Sequence, residues 1–186
     1  MLDLPVPSVP DADQGVAWLR AHVVRFSEGE THTRRRAIVE RELAAIDPAT
    51  LRHGSGHHVE KLAAAMGLTV SVADVGTVAA CYQPHVPVTP AADAAVDRLI
   101  AACGGTPDEL TANRIGILVQ ACDATAALIE GRNPPVPITR RVAPSGEIIE
   151  IDLAEHPFGA GRHGCPGREH ALVLADAQAD CPLRAK

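Results

Sequence analysis

One ten-residue stretch, Phe158-Gly159-Ala160-Gly161-Arg162-His163-Gly164-Cys165-Pro166-Gly167, sets a single thiol in a loop carrying four glycines. Backbone without Cβ atoms can lie close against a flat ligand. The residues that follow predict a helix from about Pro166 to Ala179, so Cys165 stands just ahead of a helix N-terminus. Backbone N–H groups and the positive end of the helix dipole at that place favour a thiolate. A thiolate on a rigid loop is a good axial ligand for haem iron. The plain alternative is a buried cysteine in a glycine-rich turn.

Three further groupings bear on the same chemistry. His32-Thr33-Arg34-Arg35-Arg36 places His32 and Arg36 four residues apart, on one face of a helix. Ala121-Cys122-Asp123-Ala124-Thr125 lies inside the longest periodic segment of the chain. Asn133-Pro134-Pro135-Val136-Pro137-Ile138-Thr139-Arg140-Arg141-Val142-Ala143 puts two arginines in a segment with strand character.

The loop pattern F-G-x-G-x-H-x-C-x-G resembles the haem-binding loop of the cytochrome P450 family at every defining position, and the other three groupings follow in family order. The resemblance implies haem b (iron protoporphyrin IX) ligated by Cys165, the metal ligand, with Phe158, Gly159 and Gly167 shaping the loop around it. It implies that His32, Arg36, Arg141 and His163 meet the haem propionates. It also implies that Thr125, with Asp123 as the nearby acid, serves proton delivery to bound oxygen. The sequence departs from the family in definite places. Ala124 stands where the acid next to the threonine is usual, and Cys122 where glycine is usual. Glu130-Gly131-Arg132 is a shortened E-x-R in place of the ExxR of a separate helix, and the stretch from Ile148 to Phe158 leaves no room for the family's meander. The expected fold is mainly α, a truncated P450-like helical arrangement with a small β-hairpin and a cysteine-containing haem loop.

Apolar periodicity supplies the elements that must position these groups. Residues 1–12 carry three prolines and read as an extended arm. Helices are expected from about Asp13 to Phe26, with Val16, Leu19, Val23 and Val24 inward, and from Glu30 to Ile46, with Ile38, Leu43 and Ile46 inward and a basic outer face. Helical segments are expected near 58–66, 70–82 and 90–103, and the long one from Pro107 to about Glu130. Prolines over 83–90 mark a linker between two helical halves of one domain, 1–186. Strands are expected at 136–142 and 148–153, joined by a turn at Ser145-Gly146. His53-Gly54-Ser55-Gly56-His57-His58 reads as a solvent-exposed polar loop; with no carboxylate or thiolate among its histidines it is a poor metal site.

Composition narrows the function class. The 186 residues are 46% hydrophobic and 22% charged, which is globular rather than disordered. A net charge of −6 excludes a general attraction to nucleic acid, and with Trp18, Phe26, Tyr82 and Phe158 as the only aromatics there is no base-stacking platform. No apolar run approaches the roughly 18 residues of a membrane span. Five widely spaced cysteines without a CxxC pair suit a reducing, cytoplasmic setting, with Cys81, Cys103 and Cys181 inert.

The resemblance implies a monooxygenase acting on a hydrophobic small molecule with O₂, its electrons coming from an external ferredoxin or reductase, since no flavin or iron–sulfur motif is present. The alternatives are a haem-thiolate sensor, carrier or peroxide-dependent enzyme, and a haem-free relative serving as a binding protein. A chain this short next to the family's length predicts exposed apolar surface and hence self-association.

Overall fold

The computed structural model describes residues 1–179, so Cys181 lies outside the described residues. The chain is mainly helical: α1 Gly15–His22, α2 Gly29–Ala44, α3 His58–Ala65, α4 Val72–Ala79, α5 Pro90–Cys103, α6 Glu109–Ile129 and α7 Arg168–Ala179, with one antiparallel hairpin, β1 Ile138–Val142 and β2 Ile148–Asp152. No helix among the described residues is long and apolar enough to cross a membrane.

The long helix α6 is the axis of the fold, and its ends are written in the sequence. Asp108 caps it by accepting from the Thr111 N–H (2.8 Å). At the other end Gly131 takes φ +78°, its N–H bonding Leu128 O while Arg132 N–H reaches back to Ala127 O. That paired closure satisfies the last carbonyls and needs the left-handed conformation glycine adopts freely. Glu130-Gly131-Arg132 is therefore a helix stop, with Glu130 and Arg132 joined as an exposed ion pair (2.6 Å). The chain passes from it to β1 with no further helix.

One face of α6 (Ile115, Leu118, Val119, Cys122) shares a single apolar core with Val16 and Leu19 of α1, Val75 and Val78 of α4, and Val96 and Leu99 of α5. Leu174 of α7 closes the same core from the far side. The side chains are mostly Val, Leu and Ala, so the area each buries is modest and the stability comes from their number.

Three expectations need correction. The first helix stops at His22 and resumes as a single 3-10 turn over Val24–Phe26, because Asn113 of α6 accepts from the Val24 N–H (2.9 Å) and draws the backbone off the helical path. In α2 the inward stripe is His32, Arg35, Val39 and Leu43, and Ile38 is only half-buried. Arg35 is buried because its guanidinium bonds Ala21 O (2.8 Å) and pairs with Glu109 (2.9 Å). Finally, His58 is not in a solvated loop. It is buried, and its Nε2 lies 2.9 Å from Cys122 O in the middle of α6. Burial lowers its pKa, so the neutral ring donates that bond.

Candidate functional site: the cysteine loop and its cationic surround

The cysteine loop is closed on itself. Cys165 N–H donates to Phe158 O (2.8 Å), Gly159 N–H to His156 O (2.8 Å) and Gly164 N–H to Gly161 O (3.0 Å). Gly159 and Gly161 adopt φ +68° and +62°, where a side chain would be strained. A Cβ on Gly161 would also collide with the Asp3 carboxylate. The loop leads into α7, and the Arg168 guanidinium lies 5.3 Å from the centre of the Phe158 ring.

Cys165 is solvent-exposed on one side and hemmed by protein on the other. That crowding pushes its thiol up, while the Gly167 N–H and the charges of Arg36 and Arg25 pull it down without prevailing. The free side chain is thus a thiol at neutral pH, not the thiolate that the helix N-terminus alone would favour. Coordination to a metal would deprotonate it.

Around the loop the structure gathers residues far apart in sequence. His32 of α2 is buried and meets the His163 ring edge-on, with centroids 4.5 Å apart. Arg36, one turn on, donates to Gly164 O (2.6 Å) and pairs with Glu40 (2.7 Å). Arg141 of β1 is buried and donates to Leu2 O (3.2 Å), Thr139 Oγ1 (2.7 Å) and Arg140 O (2.8 Å). His163 Nε2 lies 3.0 Å from Glu28, and Arg162 pairs with the same carboxylate at 2.9 Å. Burial pushes the His163 imidazole down to about 4 against the pull of Glu28, so it is neutral at pH 7. Burial also raises the Glu28 carboxyl, but the Val6 N–H, His163 and Arg162 together outweigh it and hold the pKa below the usual range. With His163 neutral, the Val6 N–H and Arg162 carry that effect.

Two of these participants carry no sequence signal. Glu28 precedes α2 and looks like an ordinary helix-start acid. Arg25 looks like an ordinary surface cation, yet its Nε is buried with no hydrogen-bond partner, and its charge reaches both Cys165 and Arg141.

The oxygen-side residues are not assembled in the same way. Thr125 is fully buried on α6, and its hydroxyl has no hydrogen-bond partner. Asp123 is exposed and interacts instead with the Cys122 thiol, which burial first and then this carboxylate push up to about 11. His58 docks on the Cys122 carbonyl, one turn ahead of the threonine.

A groove of about 510 Å³ lies between the end of α6, Phe158 and Leu172, outside the cationic cluster. Among the described residues no set of three or more His, Cys, Asp or Glu side chains is placed to hold a bare metal ion. The chain matches no family model, no curated protein and no solved structure.

Proposed function

We propose that the chain is a haem-thiolate protein of the cytochrome P450 kind, with Cys165 as the axial ligand of haem b, oxidising a hydrophobic small molecule with O₂ and electrons from an external ferredoxin or reductase. The observation that carries this reading is the closed loop that presents one thiol to the Gly167 N–H, with its own His163, His32 and Arg36 of α2, and Arg141 of β1 drawn around it. The donor set suits the group: one sulfur ligand for iron, and cationic or hydrogen-bonding side chains for two propionates. The buried, unpartnered Arg25 Nε is a further donor awaiting an acceptor.

When bound, haem supplies the electron transfer and oxygen activation. The chain's own part is positional. Gly159 and Gly161 keep the loop tight, and Phe158 closes it through its carbonyl. The Gly167 N–H and the charges of Arg25 and Arg36 stabilise negative charge on sulfur. Arg36, anchored on Gly164 O, fixes the loop to α2. Thr125 offers a buried hydroxyl on α6 able to hold a proton.

The test is the absorbance of the purified chain mixed with hemin, reduced with dithionite and exposed to CO. A thiolate-type Soret band is expected, lost in Cys165→Ala and kept in Cys122→Ala. A spectrum without thiolate character in the unmodified chain, or one unchanged in Cys165→Ala, overturns the assignment.

A second reading, a haem-thiolate protein without productive oxygenation, is favoured by one observation: the hydroxyl of Thr125 has no partner while the nearest acid, Asp123, is exposed. Successive helical residues are rotated about 100°, so the two do not share a face. Product formed per NAD(P)H consumed, with peroxide counted in parallel and a surrogate reductase as donor, separates the readings. Loss of electrons to peroxide, relieved in Ala124→Glu, indicates an oxygenase starved of protons. No product from either form favours the second reading.

A further inference from the structure

Glu28 and the first residues of the chain pack against the cationic side chains of the cysteine loop and the hairpin. Glu28 Oε1 accepts from the Val6 N–H (2.6 Å) and lies 3.0 Å from His163 Nε2, and Arg162 lies 2.9 Å from Oε2. The Asp3 carboxylate sits over Gly161 in the space a Cβ would take. Leu2 O accepts from Arg141 Nε (3.2 Å), and Pro5 O from the Val142 N–H (2.8 Å). Val6 is buried at the end of this run.

Residues 2–6 therefore form a strap across the cysteine loop and the hairpin. Glu28 satisfies Arg162 and His163, the Leu2 carbonyl satisfies Arg141, and the Asp3 charge adds to the hold on Arg141. Resting on the haem reading above, we propose that Glu28 and residues 2–6 are an internal carboxylate strap, which a ligand bearing two carboxylates displaces as it binds. The exchange replaces charged hydrogen bonds with others of the same kind, so the two arrangements differ little in polar interactions. Pro5 restricts the backbone of the strap just after the turn that Leu4 N–H closes on Met1 O (3.1 Å).

The experiment follows amide hydrogen exchange at Val6 and Val142 in the full chain, alone, with hemin, and with hemin dimethyl ester, whose propionates carry no charge. Hemin should release both amides at least tenfold and the diester should not. Glu28→Gln should bind hemin about tenfold faster, the equivalent of about 1.4 kcal/mol removed from the barrier. Asp3→Asn is the second variant should Glu28→Gln not fold, and the hemin and diester arms need no variant. A thiolate-type hemin complex in which Val6 stays protected overturns the strap and leaves the haem reading standing. Equal release by hemin and diester overturns the carboxylate exchange. Absence of any thiolate-type complex overturns the haem reading, and this inference with it.

Discussion

The core shared by α1, α4, α5 and α6 and the seam around the cysteine loop hold together by different physics. In the core, Leu19, Val75, Val78, Leu99, Ile115 and Leu118 are excluded from water and touch one another. Their stabilisation is non-directional and nearly independent of pH. In the seam, three arginines, two histidines, a glutamate and several backbone carbonyls come from the arm, α2 and the residue before it, the hairpin and the loop. Its bonds are directional and charge-dependent. The core fixes where the elements stand, and the seam ties together segments far apart in sequence.

The sharpest test of that division removes one core side chain. Leu118→Ala should cost about 2–5 kcal/mol, read from the urea midpoint, because a fully buried leucine loses its transfer energy and leaves a cavity. A cost near zero would mean that the core carries little of the fold.

Acid should act on the seam instead. The His163 pKa falls from an unfolded value near 6.5 to about 4 in the folded chain, so the unfolded state binds more protons between those values. Stability is then fully present above about pH 6.5 and declines as pH falls toward 4. Glu28, also depressed, adds to the loss as pH drops below its unfolded value. The His163 contribution is of order 1–3 kcal/mol. Urea titrations across this range should show the decline in the unmodified chain and a flatter profile in His163→Gln. An equally steep profile in the variant would assign the acid sensitivity elsewhere.

The smallest effect belongs to the rim. Arg140 and Glu150 face each other across the hairpin at 2.8 Å and are substantially exposed. Arg140→Ala should cost about 0.2–1 kcal/mol and less at high salt. A thermal shift comparable with that of Leu118→Ala would break the comparison at its weak end.

The same division explains what could be read from sequence. The extent of α6 was a local signal, as was the hairpin turn at Gly146, which has φ +85°; the Gly131 stop is local too, but its flanking Glu130 and Arg132 read as a shortened E-x-R. The cysteine loop was legible for a similar reason: its glycine spacing is a property of ten consecutive residues. The burial of His58 was not, because its partner is a carbonyl on α6 rather than any neighbour in the chain. Nor were Glu28, Arg25 and residues 2–6, whose places depend on pairings with the loop and hairpin at the other end of the sequence. The interruption at Val23 likewise came from Asn113, a tertiary contact that overrides a helical pattern.

One arginine of α1 bears on how the molecule transmits force. Arg20 donates to the carbonyls of Cys81, Tyr82, Gln83 and Val86, gathering the turn that joins α4 to α5 onto α1. The proline-bearing linker between the helical halves starts at this turn and is anchored there. The helical halves must then deform as one stiff body. A push on α1 is therefore passed through one guanidinium directly to the turn ahead of α5.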